Sequence, residues 1–149
     1  RGKARRIRDI AHSSYFGTPV MVTDGRHALH KFPARPDNGP LFAYGINLDA
    51  FHRRVLDPYR TGEVGRFLPF TDAQVFRLPV RKAASFEKET EARSGGTRDL
   101  LFDLRIGDDL SQNILGDRPE IAARLRKALV REYERIGAPS EQYERLGLR

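Results

Sequence analysis

Leu100-Leu101-Phe102-Asp103-Leu104 is followed by Asp108-Asp109-Leu110-Ser111-Gln112-Asn113-Ile114-Leu115 and then by a run from Arg118 to Ile136. These residues read as a short apolar strand, a polar turn and an amphipathic helix. The helix carries boundary signals at both ends. Asp117 is placed to cap the free N–H groups of the first turn, and Glu120, three residues on, can complete a capping box. Pro119 falls in the first turn, where no N–H partner is lost. Gly137 follows the last apolar residue, and Pro139 forbids continuation. At about 100° per residue, Ile121, Ala122, Leu125, Ala128, Leu129, Tyr133 and Ile136 share an arc of roughly 140°, with most of the charge opposite. Such a helix must lie on something apolar, and the strand before it is the nearest partner. Glu132 misfits, because it projects near the middle of the apolar arc. A buried carboxylate without a partner is costly, so an arginine or a backbone donor is predicted to meet it, unless the helix end overhangs solvent.

Upstream, Val20-Met21-Val22-Thr23 is rich in β-branched residues, and Asp24-Gly25 after it predicts a two-residue hairpin turn of type I′. The returning strand alternates, with His27, Leu29 and Lys31 on one side and Ala28, His30 and Phe32 on the other. Leu41 to Tyr44 predicts a third strand and Val75 to Pro79 another. Between them, residues 47–72 read as a short helix followed by an irregular excursion broken by Pro58, Gly62, Gly65 and Pro69. The polar stretch 81–98 reads as a connection or an exposed helix ending at Gly95-Gly96. Beyond Gly137 about one more helical turn is expected, with Tyr143 and Leu146 as its packing contacts. The fold class is α+β: a small, mainly antiparallel sheet of about four strands covered by a C-terminal amphipathic helix at 118–136.

The 149 residues, 39% hydrophobic and 32% charged, suit one domain (1–149) with a real core. No apolar run approaches the ~18–20 residues that span a bilayer, so no membrane partner is expected. The chain starts with Arg1 and opens on no positive-then-apolar signal segment. A fragment or processed product is therefore expected, with the cytoplasm favoured as its compartment. The absence of cysteine excludes disulfides, thiolate metal sites and a cysteine nucleophile within the chain. A net charge of +7 raises the question of nucleic acid. However, Arg1, Lys3, Arg5, Arg6 and Arg8 concentrate in a basic arm or linker at 1–8. Arg124, Lys127, Arg131 and Arg135 suit a solvated helix face, so nucleic acid is not the expected partner.

Few residues carry recognisable chemistry. His27 and His30 face opposite sides of their strand and make a poor chelating pair, while His12 and His52 lie in irregular regions. Asp108 and Asp109 suit a turn better than a pair of catalytic carboxylates. Asp103 alternates away from Phe102 and Leu104 and is expected on a solvated sheet face. Arg26 is expected to be exposed beside the hairpin turn. No phosphate loop, G-x-S-x-G or H-E-x-x-H pattern occurs.

Two blocks together resemble a known family. Phe16-Gly17 with Val22-Thr23-Asp24-Gly25-Arg26-His27 resembles the first hairpin of the C-terminal subdomain of sulfatases. Leu101-Phe102-Asp103-Leu104, followed by Asp109, Asn113-Ile114-Leu115 and the final helix, resembles the block that closes that subdomain. There the wording is an L-[YF]-D-L strand, an acidic turn, an N-L pair and a helix. Asn38-Gly39-Pro40-Leu41, Pro69-Phe70 and Glu141-Gln142-Tyr143-Glu144-Arg145-Leu146-Gly147 look like one bacterial sulfatase-like branch. The resemblance covers nearly the whole chain.

It implies a parent hydrolase of the alkaline phosphatase superfamily, with its active site in a larger N-terminal domain. That domain would hold a formylglycine made within a C/S-x-P-x-R motif and a divalent cation, usually calcium. Its hydrated aldehyde attacks sulfur, and the hemiacetal then expels sulfate. This chain contains no C/S-x-P-x-R, so no catalytic residue or metal ligand is carried over, and it is expected to be catalytically silent alone. The implied partner is the N-terminal catalytic domain, with a homo-oligomer as a further option. His12, leading into the first strand, and His52, in the excursion, are the expected residues at the substrate-cleft edge. A piece cut from such a parent would expose apolar side chains on one sheet edge or face. Two alternatives belong to other classes: a basic module for nucleic acid or another polyanion, and a non-catalytic oligomerisation domain with 47–72 as its contact arm.

Overall fold

The computed structural model describes residues 8–46, 62–80, 98–106 and 112–149. Strands β1 (Ala11–Ser13), β2 (Val20–Thr23), β3 (His27–Lys31) and β7 (Leu100–Asp103) form one antiparallel sheet in the order β1-β2-β3-β7. Helix α1 (Pro119–Ile136) and the short helix α2 (Ser140–Arg145) follow β7. Alternation on the paired strands places Val20, Val22, Leu29 and Leu101 on one face, and α1 covers it with Ala122, Leu125, Leu129 and Tyr133. Tyr143 and Leu146 complete this core, as the spacing of the tail predicts. Each buried leucine contributes about 1.5–3 kcal/mol relative to exposure, so this layer dominates the energetics of the fold. The chain is thus an α+β structure with a small antiparallel sheet under a C-terminal helix.

The hairpin turn sits one residue later than the Asp24-Gly25 expectation. Thr23 pairs with Ala28, leaving Gly25-Arg26 as the central pair, and the positive φ falls on Gly25 at 89°. A glycine in the first central position meets the one positive φ that the alternative primed turn needs, whereas type I′ needs two. Asp24 is thereby freed as an acceptor: its Oδ1 takes the N–H groups of Arg26 at 2.9 Å and His27 at 2.7 Å.

Helix α1 has its C-terminus where the sequence marks it, but a different N-terminal arrangement. Gly137 adopts φ 64°, and the Ala138 N–H reaches back to the Tyr133 carbonyl at 2.9 Å, closing the helix as glycine does best. Pro119 is the first helical residue, but Arg118 occupies the cap position and no side chain caps the helix. Asp117 is held in the preceding turn, where its N–H and that of Arg118 both donate to the Ile114 carbonyl, at 3.2 and 2.9 Å. Glu132 meets the predicted arginine: Arg135 grips it through Nε at 2.8 Å and Nη2 at 2.6 Å. Ile136, at the end of the apolar arc, is 40% exposed, because the core ends at Tyr133.

Asp103 corrects another expectation. It is 8% exposed, and Phe102 beside it is 7% exposed, so β7 has no solvated face at this point. Asp103 lies opposite His27, where Arg26 reaches over from the turn to neutralise it.

Strands β4 (Phe42–Gly45), β5 (Glu63–Gly65) and β6 (Val75–Pro79) form a second antiparallel sheet in the order β4-β6-β5. The sequence marks β4 and β6 but not their separation from the first sheet. Nor does it mark β5, which lies inside the 47–72 excursion. Arg77 on β6 packs over the rings of Phe67 at 4.1 Å and Phe42 at 5.0 Å, and pairs with Glu63 at 2.6 Å. The short helix expected from Asn47, most of the polar stretch 81–98, Asp108 and Asp109 lie outside the described residues. Among those described, no helix is long and apolar enough to cross a membrane.

Candidate functional site

Of the two histidines expected at a cleft edge, His12 is among the described residues. His12 lies on β1, half-buried, with its ring edge-on to Tyr133 at 5.9 Å. His52 lies outside the described residues. His30, on the face of β3 away from the helix, packs edge-on to Phe102 at 5.5 Å.

His27 belongs to a charged network at the hairpin end of the sheet. Its Nδ1 lies 3.4 Å from Asp24 Oδ2, and its Nε2 is 3.8 Å from Asp103 Oδ2. Arg124 from α1 donates to Asp24 at 2.5 Å, and Arg26 donates to Asp103 through Nε and Nη2 at 3.3 and 3.2 Å. Burial by itself would raise the Asp24 carboxyl, but the N–H groups of His27 and Arg26 and the Arg124 guanidinium hold it well below the usual carboxylate range. The N–H of Arg105 does the same for Asp103 against the pull of burial, with Arg26 adding to it. Carboxylates held this acidic are poor general bases at neutral pH. Their work is to pin the turn against α1.

A second polar cluster joins segments far apart in sequence. Asn38 is 1% exposed and adopts φ 56°. Its Nδ2 donates to the Gly17 carbonyl at 2.7 Å, and its Oδ1 accepts from Arg145 at 3.0 Å. Arg145 is 3% exposed and also donates to the Thr18 carbonyl at 3.3 Å and Gln142 Oε1 at 3.1 Å. Its burial disfavours the charged guanidinium, with Tyr133 countering in part. Gly17 is tightly placed: a Cβ there would lie 3.1 Å from Leu41. Similarly, the Asn113 carbonyl oxygen accepts the N–H groups of Leu101 and Leu115, at 3.0 and 3.1 Å. It thereby staples the turn to β7.

A cleft of about 560 Å³ with polar walls lies between the end of β3, the start of β7 and α1. Lys31, Arg98, Asp99, Asn113, Leu115 and Arg126 are on its walls. Asp99 is its hub. Its Oδ1 accepts Lys31 Nζ at 3.1 Å and the Phe32 N–H at 3.0 Å, and its Oδ2 accepts Arg126 Nη2 at 2.5 Å. Burial lowers the pKa of Lys31, with Asp99 opposing that pull and the charges of Arg126 and Arg145 adding to it. The sequence held a signal for this hub: alternation puts Lys31 on the apolar face beside Leu29, and a buried cation demands a counter-charge. It did not identify Asp99 as the source.

The divalent cation that the sulfatase resemblance implies would belong to the parent's N-terminal domain, outside this chain. No three of His, Cys, Asp or Glu among the described residues could hold a metal ion. Asp24, Asp99 and Asp103 already spend their oxygens on arginine, lysine and backbone donors. Compared with known proteins, no family model, curated protein or solved structure matches the chain.

Proposed function

We propose that the chain is the C-terminal subdomain of a sulfatase-like hydrolase. The parent would cleave sulfate esters, or related phosphonate or phosphate esters, using a formylglycine and a divalent cation supplied outside this chain. The observation that carries the proposal is the meeting of the separated blocks on which the resemblance rests. Phe16-Gly17, Asn38-Gly39-Pro40-Leu41 and the Glu141-to-Gly147 block join through Gly17, Asn38 and Arg145. Asn113 binds the L-F-D-L strand, and Phe70 lies 3.7 Å from where a Gly137 Cβ would stand. In this reading the blocks are the subdomain's structural joints, which suits their lack of catalytic chemistry. Tyr15 and Phe16, 86% and 48% exposed, offer apolar surface for a neighbouring domain.

The test is the coding sequence upstream of Arg1, together with hydrolysis of 4-nitrophenyl sulfate, 4-nitrophenyl phosphate and a phenylphosphonate ester by the whole gene product. A C/S-x-P-x-R motif is expected there, with turnover lost when its Cys or Ser is changed to Ala. An upstream region without that motif overturns the proposal, as does turnover by the present chain alone.

A further inference from the structure

We propose that the Asp99 cleft binds a tetrahedral oxyanion, the phosphoryl or sulfuryl group of a small molecule. The inference rests on this chain's own residues and stands apart from the sulfatase reading. Lys31, Arg98 and Arg126 bring three positive charges to the walls against the single carboxylate of Asp99, a net charge of +2. Both Asp99 oxygens are already occupied, by Lys31 and the Phe32 N–H on one side and by Arg126 on the other. Asp99 therefore arrays the cations, and its single negative charge is outweighed by theirs. Arg126 is 42% exposed and Arg98 is exposed, so both keep guanidinium donors for a ligand.

Asn113 adds a neutral donor. Its carbonyl oxygen is fixed by two backbone N–H groups, so its NH₂ group is turned away from them, and Asn113 lines the cleft. The Arg98, Arg126 and Asn113 side chains thus offer donors to the cleft, and planar guanidinium groups match the oxygens of a tetrahedral anion in pairs. Leu115 supplies an apolar wall for the organic part of a monoester. A volume of about 560 Å³ holds such a molecule with room for water.

The experiment titrates the full chain with inorganic phosphate, inorganic sulfate, phenyl phosphate, phenyl sulfate and a short oligonucleotide. It follows backbone amide shifts by NMR at constant ionic strength, with sodium chloride as the control. Saturable shifts at the amides of Phe32, Asp99 and Asn113 are expected with phosphate or sulfate. A phenyl ester should bind more tightly if Leu115 receives the ring. Arg98→Gln, which removes an exposed side chain and leaves the fold intact, should weaken binding at least threefold. Arg126→Gln should weaken it about tenfold, with circular dichroism confirming the fold. Shifts that do not saturate or that chloride reproduces overturn the proposal, as does affinity unchanged in Arg98→Gln and Arg126→Gln. Binding confined to an oligonucleotide overturns it in favour of a nucleic-acid surface.

Discussion

Replacing Asn38 tests whether the buried Arg145 joint holds the fold. In Asn38→Ala the bond to the Gly17 carbonyl disappears, at a cost of about 1 kcal/mol for a neutral pair. The acceptor for Arg145 also disappears, at a cost of about 1.5–3 kcal/mol because the donor is charged and buried. Alanine at φ 56° adds about 1 kcal/mol, since asparagine tolerates the left-handed region better. The expected loss is about 3.5–5 kcal/mol, a large share of the stability of an ordinary domain. Asn38→Gly relieves the backbone strain but loosens the unfolded chain by a similar amount, so it should be milder by no more than about 0.6 kcal/mol. Asn38→Asp gives Arg145 a carboxylate but sets an oxygen against the Gly17 carbonyl where Nδ2 donated at 2.7 Å. Its gain and its loss oppose each other, so it should fall between wild type and Asn38→Ala only if the pairing with Arg145 outweighs that repulsion. Urea unfolding at pH 7, followed by circular dichroism with the slope checked for constancy, measures all three. An Asn38→Ala loss under about 1 kcal/mol would refute the reasoning.

Other perturbations probe the sheet, the turn and the helix end. Leu125 is fully buried on the face of α1 that meets the sheet, so Leu125→Ala should cost about 2.7–5 kcal/mol in the same urea assay; a loss near 1 would mean that the core closes over the gap. The folded-state pKa of Asp24 is depressed, so its stabilising effect is present above the unfolded carboxylate pKa of about 3.9 and fades as pH falls below it. The stability gap between wild type and Asp24→Asn should therefore be full near pH 6 and shrink toward pH 2, and a gap independent of pH would contradict the assigned bonds. Gly137→Ala should cost about 1–2 kcal/mol from φ 64° alone, because its Cβ would meet Phe70 at an ordinary 3.7 Å. A larger loss in thermal unfolding would point to a clash.

The sheet-and-helix layer was legible because its signals are periodic and local. Val20, Val22, Leu29 and Leu101 alternate along strands, the buried face of α1 repeats at helical spacing, and Gly137 ends the helix where nothing else would. Asp117 was misread because a side chain near a helix start can serve either the cap or the preceding turn, and only the path through Ile114 decides which. Asp103 was misread because alternation reveals which side a residue faces but not whether that side is covered. The second sheet was hidden for a related reason: β4 and β6 look like ordinary strands, and pairing between distant segments leaves no periodic trace. Of the cleft, Lys31 could be singled out by its place on an apolar face, and Asn113 stood out only as part of a resemblance. Asp99 and Arg126 meet through tertiary packing alone.

The Arg145 joint also bears on how fast the molecule assembles. Its bonds to Thr18 and Asn38 close loops of 127 and 107 residues, among the most expensive closures in chain entropy that this fold makes. The β2–β3 hairpin and α1 need no such search, so they are expected to be in place when the rate-limiting barrier is crossed, with Arg145 docking after it. Substitutions at Asn38 should then act as loss of a latch, speeding unfolding while leaving the refolding rate nearly untouched. Stopped-flow measurements on Asn38→Ala would show the change on the unfolding arm alone. The joint would then govern how long the native state lasts, while the hairpin and α1 set how quickly it is found.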